Sequence, residues 1–274
     1  MKTLYVSDLD GTLLNSDKKV SDYSVETINH AIENGALFTV ATARSFVSAL
    51  DLTKDLNLNA PMVLMNGVFI YDKNESKFLK YQALSKENIS HVIKFLNKCG
   101  EHARMFAFDG ERMIVYVPSD YKASCSEDQE SKYRQNIVVD NLEDYAYSTP
   151  IVSFVLIDAY EKLEPIYKEL SSENNFYCCF YNDIYHPEVY WLEIYDKSVS
   201  KANGVDYVKK YVGADSLTAF GDQINDIEML HHADNAICVA NAADIVKKEA
   251  DIVLTLSNNE DAVANYIGKI FGGK

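Results

Sequence analysis

The stretch LYVSDLDGTLL at residues 4–14 decides the fold: an apolar run ends in two aspartates one residue apart, followed at once by Gly-Thr. The run TLYVS has the composition of a short buried strand. An Asp-Gly turn after that strand would explain the pattern without any chemistry, because both residues are common in turns. Whether the aspartates also react depends on what the rest of the chain brings to the same strand end.

Strands and helices alternate after this stretch. Residues 21–35, SDYSVETINHAIENG, place apolar residues at helical spacing between a capping serine and a terminating glycine. Residues 36–44, ALFTVATAR, then indicate a second strand, and residues 46–58 a second helix. PMVLMNG at residues 61–67 indicates a third strand. This alternation predicts a parallel sheet with right-handed crossovers.

The middle of the chain has a different pattern, and the alternation returns near the end. Helical and strand-like segments between residues 82 and 187 indicate a compact α+β domain. We therefore predict the α/β class, with a doubly wound, mostly parallel, Rossmann-like sheet built from residues 1–81 and 188–274. The α+β domain at residues 82–187 is inserted into it.

Charge and composition restrict the partners. The chain has 274 residues, with 26 basic and 41 acidic side chains and a net charge of −15. Such a surface repels nucleic-acid phosphates and anionic lipids, so we expect neither as a partner. The sequence shows neither a membrane-length apolar segment nor a signal peptide, and its five cysteines form no CxxC pair. We expect a cytoplasmic monomer or weak homo-oligomer.

Several predicted strands end in polar side chains that can bind or react. These strand-end residues are Asp8 with Asp10, Thr42, Asn66 and Asp222. In open α/β sheets, ligands bind beyond the carboxyl ends of the strands. The side chains are therefore expected to share one site.

The first of these motifs, Asp-x-Asp-Gly-Thr-Leu-Leu at residues 8–14, resembles the nucleophile motif of the haloacid dehalogenase superfamily of phosphohydrolases. VATAR at residues 40–44 and VSKANGV at residues 199–205 resemble its second and third motifs, and FGDQINDIEML at residues 220–230 resembles its fourth. The segments CVANA and TLSNNEDAVA are similar to the tail of the Cof-type sugar-phosphatase branch. That branch carries a cap domain between its second and third motifs, which is where the insertion falls here.

The resemblance implies a phosphatase that hydrolyses small phosphorylated metabolites, such as sugar phosphates, through an aspartyl-phosphate. Asp8 would be the nucleophile, because a carboxylate that attacks phosphorus divides one difficult step into two. Asp10 would protonate the leaving oxygen and then deprotonate water. Lys201 would add a fixed positive charge beside Asp8 and the phosphate.

The same resemblance implies Mg²⁺ as the cofactor. Two unit negative charges repel by about 3 kcal/mol at about 5 Å and an effective dielectric constant of about 20, so a cation is needed between nucleophile and substrate. The implied ligands are Asp8, the backbone carbonyl of Asp10 and Asp222. Asp226 would anchor the site or bind the ion through water, and Thr12 would orient Asp8 or Asp10.

The phosphate itself would be held by a second group of residues. Thr42, the backbone at Ala43, Lys201 and Asn225 are the candidates, since hydroxyl, amide and backbone N–H groups donate to phosphate oxygens. Ala43 stands where the branch usually has glycine. We interpret Arg44 as a structural ion-pairing residue.

Three other functions are compatible with parts of the pattern. A phosphomutase of the same superfamily would use the same motifs. A signalling phospho-receiver also phosphorylates an aspartate, but it needs neither the fourth motif nor an inserted domain. A non-catalytic protein that binds sugar phosphates would share the site without turnover.

Overall fold

The computed structural model of the protein describes residues 2–121, 134–182, 186 and 188–272. The strands, in chain order, are β1 Thr3–Ser7, β2 Leu37–Val40, β3 Met62–Leu64, β4 Phe69–Asp72, β5 Lys77–Tyr81, β6 Arg104–Phe108, β7 Met113–Pro118, β8 Arg134–Val139, β9 Ile151–Ala159, β10 Phe176–Asn182, β11 Val189–Asp196, β12 Ser216–Gly221, β13 Asn235–Cys238 and β14 Ile252–Val253. The α-helices are α1 Asp22–Glu33, α2 Phe46–Leu52, α3 Lys86–Cys99, α4 Tyr160–Ser172, α5 Lys201–Tyr211, α6 Ile227–His232, α7 Asp244–Glu249 and α8 Ala262–Phe271. Among these residues, no helix has both the length and the apolar composition needed to cross a membrane.

The chain divides into two compact units. One unit contains residues 1–81 and 200–274, and the other contains residues 82–199. The first has a parallel sheet and the second a sheet of its own, which confirms the predicted α/β class with an inserted cap domain.

The sheet of the first unit has the order β14-β13-β12-β1-β2, and every neighbouring pair is parallel. β1 therefore lies between β12 and β2. Leu4–Ser7 of β1 and all six residues of β12 are buried without a gap. Burial of consecutive apolar residues is typical of parallel strands that are covered on both faces.

The first helix forms where the capping pattern predicts it. The Ser21 hydroxyl accepts a hydrogen bond from the backbone N–H of Ser24 at 3.0 Å, which satisfies one of the free donors at the start of α1. Ile28 and Ala31 are buried along one side of the helix. The helix ends at Glu33, two residues before Gly35.

The third predicted strand does not extend the parallel sheet. β3 pairs antiparallel with β4, which pairs antiparallel with β5. On its other edge, β3 meets the residues after β2 in the parallel direction: a bridge joins Ala41 and Val63, and the Thr42 backbone N–H donates to the Val63 carbonyl at 2.9 Å. The turn at Met65–Gly67, a short 3₁₀ segment with positive φ angles, sends the chain back along β3 as β4.

The second unit contains the sheet β10-β11-β9-β6-β7-β8, in which neighbours are antiparallel except for the parallel pair β7 and β8. Buried residues of α3 and α4 pack in one apolar core with residues from this sheet. The predicted boundary at residue 187 lies outside the described residues. The sequence pattern assigns β11 to the first unit, but the strand lies in the sheet of the second unit. Leu192 and Ile194 of β11 explain the placement, because both are fully buried in this core.

Candidate active site

The sheet register brings two of the predicted strand-end residues together. Ser7 of β1 pairs with Phe220 of β12, and the backbone N–H of Asp8 donates to the Phe220 carbonyl at 3.0 Å. Asp8 follows β1 directly, and Asp222 follows β12 directly. Because the two strands are parallel neighbours, both carboxylates project beyond the same edge of the sheet.

The Asp-Gly turn of the first motif is required by this close approach. Gly11 has φ +75°, and a Cβ atom there would lie 2.4 Å from Asp222 Oδ2. The next residue, Thr12, donates its hydroxyl to Asp222 Oδ1 at 2.7 Å. The sequence predicts that Thr12 orients Asp8 or Asp10; in the structure, the turn directs its hydroxyl to Asp222 at the neighbouring strand end.

Three carboxylates form a buried group that we call the acid cluster: Asp8, Asp222 and Asp226. Carboxylate oxygens of these residues lie within 4.8 Å of one another. Lys201 Nζ lies 2.7 Å from Asp8 Oδ1 and 2.6 Å from Asp226 Oδ1, and only 1% of its side chain is exposed. Lys201 is the first residue of α5, so the helix start fixes its backbone beside the cluster.

The acid cluster has an excess of negative charge. Three carboxylates face one ammonium group, an excess of two when all are ionised. Burial raises the pKa of Asp8 to about 8, although Lys201 opposes the shift. Burial also raises the pKa of Asp222 to about 6, against the hydrogen bond from Thr12. Burial opposes the charge of Lys201, but Asp226 and Asp8 outweigh it and raise the pKa of that ammonium group.

Asp226 holds the loop after β12 in place. Its Oδ2 atom accepts the backbone N–H groups of Asp222 and Gln223, each at 3.0 Å, while Oδ1 accepts from Lys201. Both of its oxygens are thus engaged by neighbouring protein groups. The sequence predicts for Asp226 either an anchoring role or binding of the ion through water.

Asp10 lies outside the acid cluster. Arg44 Nε donates to Asp10 Oδ2 and Arg44 Nη2 to Asp10 Oδ1, both at 2.6 Å. About half of the Asp10 side chain is exposed, against 8% for Asp8. The two aspartates of the first motif therefore have different surroundings, and the partner of the second comes from the loop after β2.

Thr42 and Asn225 are linked through Asn66. The backbone N–H of Asn66 donates to the Thr42 carbonyl at 3.0 Å, and Asn225 Nδ2 makes a long contact of 3.5 Å with Asn66 Oδ1. Thr42 is buried, whereas Ala43 is exposed. From the sequence, Asn66 is placed among the strand-end residues that are expected to share one site, and Arg44 is interpreted only as an ion-pairing residue. The position of Arg44 at the end of the predicted second strand is the signal that could have placed it in the site.

The turn that carries Asn66 also supports the start of α5. Gly67 has φ +102°, and a Cβ atom there would lie 2.2 Å from the backbone carbonyl oxygen of Ser200, the residue before Lys201. Gly67→Ala is expected to cost about 1–2 kcal/mol from the positive φ and a further ~1–3 kcal/mol from the clash. Urea denaturation measures the change in the free energy of unfolding.

The matched control for this prediction is Gly35→Ala. Gly35 has a similar φ of +97°, but a Cβ atom there would meet nothing within 4 Å. Only the cost of the positive φ should remain in the control. Equal losses in the two variants would show that the contact with Ser200 adds no constraint.

Similarity to known proteins covers nearly the whole chain. A family model described as haloacid dehalogenase-like hydrolase matches residues 5–267. A 5-amino-6-(5-phospho-D-ribitylamino)uracil phosphatase of Bacillus subtilis is 26% identical over 273 residues, which cover 98% of this chain and 97% of the relative. A pyridoxal phosphate phosphatase of Escherichia coli is 27% identical over 274 residues, which cover 95% of each chain.

Solved structures show the same fold. A haloacid dehalogenase-like hydrolase from Bacteroides thetaiotaomicron superposes with a TM-score of 0.74 at 23% identity, covering 98% of this chain and 100% of that chain. A sugar phosphatase described as subclass IIB of the same superfamily gives a TM-score of 0.68 at 20% identity, covering 100% of both chains. Both units of the chain therefore have counterparts in these structures.

Proposed function

Because the chain belongs to the haloacid dehalogenase-like hydrolase family and is a phosphatase, we propose that it is a Mg²⁺-dependent hydrolase of small phosphorylated metabolites, sugar phosphates among them. The observation that carries the proposal is the acid cluster with Lys201 at the ends of β1 and β12. The two relatives named above act on a phosphorylated ribityl compound and on pyridoxal phosphate, which supports a small phosphomonoester as substrate.

Asp8 is the proposed nucleophile. One of its carboxylate oxygens attacks phosphorus, the bond from phosphorus to the leaving oxygen breaks, and an aspartyl-phosphate forms. Lys201 supports this role, because its ammonium group holds Asp8 Oδ1 at 2.7 Å and reduces the repulsion between the carboxylate and the phosphate. Water then attacks the aspartyl-phosphate, releasing inorganic phosphate and restoring the carboxylate.

Mg²⁺ fits the residues that are present. The acid cluster offers hard oxygen donors and an excess of negative charge, which are the conditions for this ion. Asp8, the backbone carbonyl of Asp10 and Asp222 would hold it, with Asp226 behind them. A bound Mg²⁺ would supply the positive charge that keeps Asp8 and Asp222 ionised and offsets the repulsion of the substrate. Thr12 and the N–H groups that bind Asp226 fix the orientation of the carboxylates beforehand.

Asp10 is the proposed proton carrier. Its carboxyl group gives a proton to the leaving oxygen as the bond to phosphorus breaks, and the resulting carboxylate takes a proton from the attacking water. The exposure of Asp10 supports this role, since about half of its side chain is open to solvent. The net reaction consumes one phosphate monoester and one water, and it yields one alcohol and one phosphate.

Thr42, the Ala43 backbone and Asn225 are the proposed phosphate-binding groups. The contacts through Asn66 support this assignment, because they tie the loop carrying Thr42 to Asn225. Lys201 completes the set from the side of the acid cluster. Donors held in place before the substrate arrives are the arrangement that stabilises developing negative charge best.

The proposed function is tested with purified protein and a panel of phosphorylated sugars, pyridoxal phosphate, phosphorylated ribityl compounds and nucleotides. We expect release of inorganic phosphate with Mg²⁺ and its loss when EDTA removes the ion. Formation of an isomerised sugar phosphate in place of inorganic phosphate would favour the phosphomutase. Phosphate release that is unaffected by EDTA would contradict the metal requirement.

A further inference from the structure

Arg44 forms a bidentate ion pair with Asp10, but the proposed mechanism assigns a role only to Asp10. The guanidinium group contacts both oxygens of the carboxylate, through Nε to Oδ2 and through Nη2 to Oδ1, each at 2.6 Å. Two parallel hydrogen bonds from a planar guanidinium group fix the orientation of a carboxylate as well as its distance. A lysine at the same place would act as a point charge and would fix the distance alone.

Arg44 is itself held on three sides. Its Nη1 atom donates to Ser48 Oγ at 2.8 Å, and its backbone N–H donates to Thr42 Oγ1 at 3.1 Å. Its carbonyl accepts the backbone N–H of Met65 at 3.1 Å. The guanidinium group is therefore anchored to the start of α2, and the Arg44 backbone is anchored to the loop that carries the proposed phosphate-binding groups.

The exposure of the pair argues against a mainly stabilising role. The Arg44 side chain is 23% exposed and that of Asp10 is 52% exposed. Ion pairs this accessible to solvent typically contribute about 1 kcal/mol or less to folding, and bidentate arginine–carboxylate pairs lie at the upper end of this range. The fixed geometry of the pair should therefore be visible mainly in the orientation of Asp10.

We propose that Arg44 is the positioning residue of Asp10, which it aims at the leaving oxygen of the substrate; this inference rests on the proposed function. One Asp10 oxygen keeps its bond to the guanidinium group, while the other turns to the leaving oxygen and transfers the proton there. Arg44 keeps all of its own protons throughout, because a guanidinium group is not deprotonated in proteins. The later transfer from water to Asp10 uses the same orientation.

A residue that acts through proton transfer has an effect that depends on the leaving group. An alkoxide leaving from a sugar phosphate needs the proton, whereas 4-nitrophenolate leaves readily without it. A residue that binds the phosphate group would instead affect both substrates equally. The comparison of these two substrates therefore separates positioning from phosphate binding.

The experiment measures KM and the rate of leaving-group release in the first turnover of the full chain with Mg²⁺, for a sugar phosphate that the protein hydrolyses and for 4-nitrophenyl phosphate. The first turnover is used because water activation by Asp10 is common to both substrates and would lower kcat for both. Arg44→Ala is expected to lower the first-turnover rate by about 10²-fold on the sugar phosphate, at the lower end of typical proton-transfer contributions, and by less than about 5-fold on the aryl ester. Arg44→Lys should recover part of the first-turnover rate on the sugar phosphate, because it restores one donor. Arg112→Ala, which removes an exposed arginine paired with Asp109, serves as the control and should change neither substrate.

A double-mutant cycle makes the test independent of substrate choice. If Arg44 acts only through Asp10, adding Arg44→Ala to Asp10→Asn should change kcat by less than about 2-fold, because the energies of coupled residues do not add. Equal reductions of the rate on both substrates together with a raised KM would overturn the inference. Additive reductions of kcat in the double-mutant cycle would overturn it as well. Failure of the proposed function itself has a different result: the unaltered protein would then hydrolyse neither substrate in a Mg²⁺-dependent way.

Discussion

Asp8→Asn is expected to lower kcat for phosphate release by about 10⁴-fold or more, the scale seen when an attacking nucleophile is removed. Asparagine has nearly the same shape but cannot form the aspartyl-phosphate. The substitution also removes a carboxyl group whose ionisation is opposed by burial, so we expect the metal-free protein to keep its stability or gain some. Phosphate release and urea denaturation of the purified variant measure the two effects.

The control for this prediction is Asp10→Asn, the same change two residues later. On the proposed mechanism it leaves the nucleophile intact, so an aryl phosphate should still phosphorylate Asp8. The phosphorylated form should then accumulate, because the group that activates water is missing. Mass spectrometry after acid quenching detects this form. An Asp8→Asn variant that retains activity, or that is phosphorylated as readily as the control, would show that another residue is the nucleophile.

Lys201→Met is expected to have the largest effect on stability and a large effect on activity. Its ammonium group is the cation that contacts Asp8 and Asp226, with 1% of its side chain exposed. Removing one partner of a buried ion pair costs about 3–5 kcal/mol, because the remaining charge is left uncompensated. We also expect kcat to fall by about 10²–10³-fold, as for other groups that stabilise developing charge. Added Mg²⁺ should restore part of the stability, since it brings positive charge to the same carboxylates.

The same helix provides the matched control. Lys209 also lies on α5 and contacts Asp234 at 2.9 Å, but 25% of its side chain and 53% of its partner's are exposed. Lys209→Met should cost less than about 1 kcal/mol and leave kcat unchanged. Urea denaturation with and without Mg²⁺ measures the difference between the two variants. Similar losses at both positions would mean that burial of Lys201 does not determine its contribution.

The sequence was sufficient for the parts of the fold that depend on local patterns. The helical spacing of Ile28 and Ala31 and the capping Ser21 predicted α1, because the helical period and the cap both act within a few residues. Apolar runs marked β1 and β12, and the motifs after them marked Asp8 and Asp222. Parallel neighbours end at the same sheet edge, so sequence reasoning also predicted that these carboxylates would meet.

The sequence did not predict which distant segments would become partners. β3 pairs antiparallel with β4 beyond the turn at Gly67, and β11 joins the second sheet, where Leu192 and Ile194 are buried. Both outcomes depend on which backbone edges of neighbouring strands are available. A strand's own residues carry little information about that choice.

Within the site, the sequence by itself determined which chemical groups stand at the strand ends, because a strand followed by Asp-x-Asp-Gly needs only local conformation. The family resemblance already implies Lys201 beside Asp8, but only the tertiary structure decided the other pairings: Thr12 with Asp222, Lys201 with Asp226, and Arg44 with Asp10. These pairings join residues up to 210 positions apart. Side-chain contacts across such distances depend on strand order, register and turn direction together, and no short stretch of sequence specifies all three.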